Sequence, residues 1–454
     1  LTQDRTTIFA LSSGALPAAI AVIRISGPRA AAGLKALVGR VPAARRATLA
    51  RLRDPAGDEL IDEALVLWFP GPRSETGEDV AELQVHGGRA IVSRLLEILG
   101  GLEGFRLAEP GEFTRRAFDH GRLDLTAVEG LADLIYADTE AQRRQALRQF
   151  KGEIAGRVEQ WRARLIEALA LVAAAIDFTD QDDVPADLRP RVLGIVGSLA
   201  GEIWQAVRTI QGERMREGLR VAIAGPPNVG KSTLLNRLAR REAAIVSPHA
   251  GTTRDVIEVK LDLGGFPVTL LDTAGLREAQ DPVEQEGVKR AWAAVSEADL
   301  VLWLMDPAML EEPGVEPAGV GTRTWLALNK MDLLPPGAAN KLAEGISGSG
   351  KGEAVFTLSA NSGTGVPDLV RAVARFAGEF FTGEAPVVTR ARHRAALVAA
   401  GQALDEASRL GPDGAEELIA EQIRLASRAL ERLTGRVDVE DILDVIFRDF
   451  CIGK

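Results

Sequence analysis

One segment constrains this chain more than any other: Gly-Pro-Pro-Asn-Val-Gly-Lys-Ser at Gly225–Ser232. The apolar run Leu219–Ala224 precedes it, and Thr233–Arg241 reads as a helix after it, so the segment sits in a strand–loop–helix unit. In that setting the glycines let successive backbone N–H groups converge on phosphate oxygens. Lys231 adds a point charge for the β- and γ-phosphates, and the Ser232 hydroxyl is a ligand for Mg²⁺. Val229, Gly230 and Thr233 complete the loop's contact set with the nucleotide.

Four further nucleotide motifs follow in order. Gly251-Thr252-Thr253-Arg254-Asp255 lies about twenty residues past the loop helix, where a first switch is expected, and a threonine there completes the Mg²⁺ shell. Asp272-Thr273-Ala274-Gly275 ends the apolar strand Val268–Leu271, with Asp272 placed to hold Mg²⁺ through water and Gly275 to bond the γ-phosphate. Asn329-Lys330-Met331-Asp332 ends the strand Thr324–Leu328, and the Asp332 carboxylate can accept both N–H groups of the guanine N1/N2 edge. Ser359-Ala360, followed by Asn361, ends the strand Val355–Leu358 and offers a backbone N–H to guanine O6. Five motifs in this order, each on the right kind of element, point to GTP.

The hydrolytic machinery departs from that of simpler GTPases. Leu276 follows Gly275 where many small GTPases place a water-orienting Gln. The charged second switch (Arg277, Glu278, Asp281, Glu284, Glu286) offers carboxylates that could orient water, or is simply a solvated loop. Asn228 either ligates a monovalent cation beside the phosphates, supplying charge as an arginine finger does, or caps the loop.

With 454 residues the chain has room for two to four domains. A single cysteine excludes an internal disulfide and fits a reducing, cytoplasmic setting, and the four scattered histidines form no zinc cluster. The apolar stretch Ile8–Ile23 is broken by Ser12, Ser13 and Pro17 and runs into Arg24, so it reads as core strands rather than an export signal. No stretch is long enough to span a membrane. The net charge of −10 argues against broad nonspecific binding of nucleic acid.

Residues 1–118 read as a compact α+β domain, with strands at Thr7–Leu11, Ala19–Ile25, Leu60–Phe69 and Val80–His86, and helices at Pro28–Val38 and Arg89–Leu99. Residues 119–217 are helical, residues 218–380 alternate strand and helix, and residues 381–454 return to helices. The expected fold is multidomain α/β: an N-terminal α+β domain and a helical bundle into which a Ras-like P-loop GTPase domain, a mixed sheet flanked by helices, is inserted. Arg143, Arg144, Arg148 and Lys151 form a basic cluster that reads as a solvated helix face.

Three outer segments single out one family: Thr76–Gly88, the run Ala108–Phe118 with Gly121–Leu125, and the terminal Cys451-Ile452-Gly453-Lys454. On these the chain resembles the bacterial tRNA-modifying GTPases of the MnmE (TrmE) family along nearly its whole length. The resemblance implies a homodimer built through the N-terminal domain. That domain would also bind 5-formyl- or 5,10-methylene-tetrahydrofolate. The one-carbon unit would go to C5 of the wobble uridine of certain tRNAs, with an FAD-dependent partner, MnmG (GidA), in a heterotetramer or larger. Carried over by position, Asn228, Ser247, His249 and Thr252 surround K⁺, with Pro248, Ala250 and Gly251 in the same loop. Ser232 and Thr253 hold Mg²⁺, and Glu284 orients the attacking water. Arg24, Glu82, Arg122 and Lys454 match the folate pocket, with Arg122 standing where the family usually has Lys. Cys451 is either an inert terminal thiol or, on the resemblance, close to the folate with a chemical role.

Two other functions share the nucleotide motifs. A ribosome-assembly GTPase would append a Gly-x-x-Gly RNA-binding module, and nothing after Pro386 fits one. A membrane-remodelling GTPase would need a basic amphipathic or apolar anchor, and none is evident.

Overall fold

The structure is a computed structural model. It describes residues 6–177, 188–241, 258–272, 292–309, 323–335, 354–383, 386–410 and 415–437, together with 443, 446, 447, 450, 452 and 453. The chain forms two compact units.

The first unit comprises residues 1–132, 149–178 and 420–454. It is built on a sheet of β1 (Thr7–Leu11), β2 (Ala18–Ser26), β3 (Thr48–Arg53), β4 (Leu60–Phe69), β5 (Val80–Gly87) and β6 (Phe105–Leu107), in the order β3-β4-β5-β2-β1-β6. All pairings are antiparallel except β1 with β6. Strand alternation decides what each face carries. Ala21, Ile23 and Ile25 of β2 and Ala81, Leu83 and Val85 of β5 point into a core closed by α1 (Ala30–Val38) and α2 (Arg89–Gly100). Leu34, Leu37, Leu95 and Leu99 supply the helical half of that core. Each such burial is worth about 1.5–3 kcal/mol. The opposite face carries a smaller cluster, Ile8, Ala10, Ala108 and Phe113, the last from α3 (Glu112–Asp119). Neither β3 nor β6 is evident from local pattern. β3 is an edge strand whose alternation is masked by Leu49, an apolar residue on its exposed face, and β6 has only three residues.

Helices follow as α4 (Leu125–Ile135), α5 (Glu140–Phe150), α6 (Glu153–Asp177), α7 (Leu188–Arg208) and α8 (Gln211–Glu217). On α5, Arg143 and Arg144 both bond Glu140, which holds that carboxyl down at about 2, as suits a solvated, self-paired helix face.

The second unit comprises residues 133–148 and 179–419. Its sheet contains β7 (Leu219–Ala224), β8 (Glu258–Leu263), β9 (Phe266–Asp272), β10 (Leu300–Met305), β11 (Thr324–Leu328) and β12 (Val355–Thr357), ordered β12-β11-β10-β7-β9-β8. All neighbours are parallel except the β8–β9 hairpin. β10 is buried along its whole length: Leu300, Leu302 and Leu304 face one layer, Val301, Trp303 and Met305 the other. A continuous apolar run is what a parallel strand covered on both faces requires. α9 (Lys231–Arg241) and α10 (Val366–Phe380) pack on the first of these layers. Beyond them, α11 (Ala391–Leu410) lies along α7, with Trp204 Nε1 donating to Asp405 Oδ2 at 3.0 Å, and α12 (Glu416–Thr434) follows. Arg394 of α11 pairs with Glu213 of α8 at 2.6 Å, so the segments entering and leaving the sheet region lie side by side. No described helix is long and apolar enough to cross a membrane.

Candidate functional site

Parallel topology gathers the C-terminal ends of β7, β9, β10, β11 and β12 on one edge, and the loops leaving that edge carry the nucleotide motifs. The loop after β7 turns through Asn228, whose φ of 61° is left-handed, into Gly230 at 97°. Val229 is fully buried and anchors the loop, while Asn228, Ser232 and Thr233 are exposed. Lys231 folds back over the loop and donates from Nζ to the Gly225 and Pro226 carbonyls, each at 2.9 Å. The Asn228 side chain makes no hydrogen bond among the described residues.

Asp272, at the end of β9, faces this loop. Its Oδ2 accepts from Ser232 Oγ at 3.4 Å, and its buried Oδ1 has no partner among the described residues. Burial pushes the Asp272 carboxyl above its ordinary range, and neither the Lys231 charge nor the Ser232 hydroxyl offsets it. A buried carboxylate oxygen without a donor, beside a serine hydroxyl, fits a hard cation that takes oxygen ligands. Thr253, the other Mg²⁺ candidate, lies outside the described residues, as do Ser247, Pro248, His249, Ala250, Gly251, Thr252, Thr273, Ala274, Gly275, Leu276 and Glu284.

The loops after β11 and β12, where the sequence predicts base recognition, are tied together by Asn329, which is 2% exposed. Its Nδ2 donates to the Val229 carbonyl at 2.7 Å and its Oδ1 accepts from the Ala360 N–H at 2.8 Å. Only glycine at 230 leaves room, because a Cβ there would lie 2.3 Å from Asn329 Nδ2. Lys330, in the left-handed region at φ 63°, pairs with Asp306 at 2.8 Å. Burial pulls the Asp306 carboxyl upward, but the Lys330 hydrogen bond and charge, with the Ala308 N–H, together hold it below the usual range. Asp332 stands exposed on a one-turn 3-10 helix, Met331–Leu333. The Ser359 N–H goes to the Thr364 carbonyl at 2.9 Å and the Ala360 N–H to Asn329, so both N–H groups expected to meet guanine O6 are engaged. Sequence inspection also misses Arg237 of α9, which grips the Ala360 and Asn361 carbonyls. A helical Arg six positions past the loop lysine carries no local signal of that role. A cavity of about 500 Å³ opens here, lined by Thr233, Asn236, Arg237, Arg240, Ala360 and Asn361.

In the first unit, Arg24 and Glu82 are direct cross-strand partners of β2 and β5. Arg24 Nε donates to Glu82 Oε1 at 3.1 Å, pairs with Glu75 at 2.8 Å, and its guanidinium lies 5.7 Å from the centre of the Phe113 ring. The two signature segments of this unit meet through Glu78 and Arg116, paired at 3.0 Å, with Ser26 donating to the same carboxylate at 2.8 Å. That linkage is invisible in the sequence, where the pair is separated by the whole of α2 and β6. Arg122, after α3, is exposed and makes no hydrogen bond or ion pair with Arg24 or Glu82 among the described residues. The end of the chain returns to this sheet: Ile452 bridges Pro110, and Ser12 Oγ donates to the Gly453 carbonyl at 2.8 Å. A Cβ on Gly453 would lie 2.3 Å from the Leu11 carbonyl oxygen, at φ 96°. Cys451 and Lys454 themselves lie outside the described residues.

Comparison with known proteins agrees with both halves of this picture. A family model described as GTP-binding protein TrmE N-terminus matches residues 7–122, and one described as MnmE helical domain matches residues 125–451. The tRNA modification GTPase MnmE of Rhodopseudomonas palustris is 54% identical over 450 residues, covering 99% of each chain. That of a Bradyrhizobium species is 55% identical over 453 residues, again covering 99% of each. Among solved structures, a crystal structure of Aquifex aeolicus Era is 26% identical with a TM-score of 0.31, covering 40% of this chain and 66% of that one.

Proposed function

The chain belongs to the MnmE family of tRNA modification GTPases, and from that premise we propose how its residues divide the work. It is a GTP hydrolase, and its nucleotide occupies the edge formed by the ends of β7, β9, β11 and β12. Val229, Gly230, Lys231, Ser232 and Thr233 hold the phosphates. Asn329, Lys330, Asp332 and the Ser359–Asn361 loop hold the guanine. Ser232, Thr253 and Asp272 would hold Mg²⁺, which would supply positive charge to the phosphates during hydrolysis. Asn228, Ser247, His249 and Thr252 would hold K⁺, which would supply the charge of an arginine finger. Glu284, in place of the Gln that Leu276 excludes, orients the attacking water.

The one-carbon chemistry belongs to the first unit. Glu82, oriented by Arg24, accepts the paired N–H groups of a pterin's amino-pyrimidine edge, and Arg122 and Lys454 serve the folate's carbonyls or carboxylates. The reduced folate is 5-formyl- or 5,10-methylene-tetrahydrofolate. Its carbon goes to C5 of the wobble uridine of tRNA, with a homodimer of this chain working beside the FAD-dependent partner MnmG. In this reading residues 1–118 bind folate and form the dimer, residues 119–217 and 381–454 make the helical domain, and residues 218–380 are the inserted GTPase.

The observation that carries this reading is the returning tail. Gly453 is seated on Ser12 in the same unit as the Arg24–Glu82 pair, which supports a folate site that draws on both the sheet and the tail. Nucleoside analysis of tRNA from cells lacking the protein should show unmodified C5 at the wobble uridine. An unchanged nucleoside profile would overturn the proposal and favour the ribosome-assembly alternative.

A further inference from the structure

Two carboxylates share Arg24. Its Nε and Nη2 both reach Glu82 Oε1, at 3.1 and 3.0 Å, and its Nη1 reaches Glu75 Oε2 at 2.8 Å. Each Nη nitrogen carries two N–H groups, so each keeps one beyond its ion pair. Glu75 Oε1 takes no hydrogen bond or ion pair among the described residues. Glu82, Arg24 and Glu75 therefore form a row of acceptor, donor and acceptor.

Glu75 is fixed by its neighbours more firmly than its own exposure suggests. Ser74 and Thr76, on either side, are 5% and 0% exposed, whereas the Glu75 side chain is 54% exposed. Ser74 Oγ donates to the Glu78 carbonyl, and Thr76 Oγ1 shares a hydrogen bond with Ser26 Oγ of β2 at 2.7 Å. Gly77 follows at φ 84°, where a Cβ would lie 2.6 Å from the Cβ of His120. An ion pair this exposed adds little stability, and such anchoring goes beyond what it needs.

We propose, with the folate site described above as premise, that Glu75 is a further folate-binding residue and that it selects the reduced pterin through N8–H. In that site Glu82 takes the N3–H and 2-amino donors. Continuing round the ring come N1, an acceptor, and N8–H, a donor. Arg24 and Glu75 follow Glu82 in the same order and with the complementary sense. A tetrahydropterin carries hydrogen on N8. In an oxidised pterin N8 has only a lone pair, which would oppose the carboxylate and leave both groups unsatisfied. Glu75 thus works by rejection as well as attraction.

Calorimetric titration of the full-length chain with 5-formyltetrahydrofolate and its 8-deaza analogue isolates this contact, since the analogue has CH₂ in place of N8–H. Wild-type protein should bind 5-formyltetrahydrofolate about tenfold more tightly than the analogue. In Glu75→Ala that ratio should fall to about one. A carboxylate that merely orients Arg24 would weaken both ligands alike and leave the ratio intact, and that result would overturn the inference. Glu75→Gln keeps the shape and carries the same test if the alanine variant does not fold: a reduced ratio supports the inference, an unchanged ratio sinks it. Equal wild-type affinities for the two ligands would also sink it, with the folate site left standing. Wild-type protein that binds neither ligand would instead overturn the folate site itself, and the inference with it.

Discussion

Asn329 donates from Nδ2 to the Val229 carbonyl at 2.7 Å, so one side chain at the end of β11 fixes the loop proposed to hold the phosphates. Its other end holds the Ala360 N–H, which ties that loop to the loop after β12. The amide is almost fully buried, so neither bond competes with bulk water.

Asn329→Ala should therefore damage more than base selection. It leaves a buried carbonyl and a buried N–H without partners, at about 1–3 kcal/mol each. GDP affinity measured by calorimetry should fall at least tenfold, with a lowered melting temperature of the nucleotide-free chain. Affinity within twofold of wild type would mean that the loops hold their shape without the bridge.

Asp272→Asn should separate stability from catalysis. Burial raises the folded-state pKa of Asp272 above 3.8, so the folded chain keeps a proton that the unfolded chain has released. Its contribution to stability is present below pH 3.8 and is lost as pH rises through the folded-state value. Without Mg²⁺, the amide should raise the melting temperature at neutral pH by a few degrees, with the gain shrinking toward acid. Mg²⁺-dependent hydrolysis should be lost. A variant that melts earlier at neutral pH and later in acid would reverse the assigned sign.

Potassium should stimulate GTP hydrolysis far more than sodium at matched ionic strength. Leu276 cannot orient water, and Asn228 projects from the phosphate loop with no described partner. Equal steady-state rates in the two salts would remove the monovalent cation from the site.

Folate binding and GTP hydrolysis should respond to different substitutions. Glu82→Ala should abolish measurable binding of 5-formyltetrahydrofolate by calorimetry, since it leaves a donor edge unpaired and removes one of Arg24's two carboxylate partners. Gly453→Val should weaken modification by unseating the tail from Leu11 and Ser12, because no side chain fits there. Neither change should alter basal GTP turnover by more than about twofold. Normal folate binding in the Glu82 variant would relocate the pocket.

The nucleotide fold is legible in the sequence because its chemistry is local. A phosphate loop is a short run of backbone N–H groups, so Gly225–Ser232 and the flanking apolar strands specify it together. β7 and β11 fall at the expected residues for the same reason: their apolar runs are complete and bounded by motif residues. Strand alternation likewise assigns Arg24 and Glu82 to the non-core face of their sheet, but only the antiparallel register of β2 with β5 sets them opposite each other. Contacts that depend on distant segments meeting are not written locally. The Glu78–Arg116 pair, the Gly453 carbonyl on Ser12 and the Arg237 grip on Ala360 each join elements far apart in the chain. Sequence determined which residue types were available at each strand end. Tertiary packing decided which of their backbone groups are bonded to one another inside the protein, because those bonds join segments far apart in the chain.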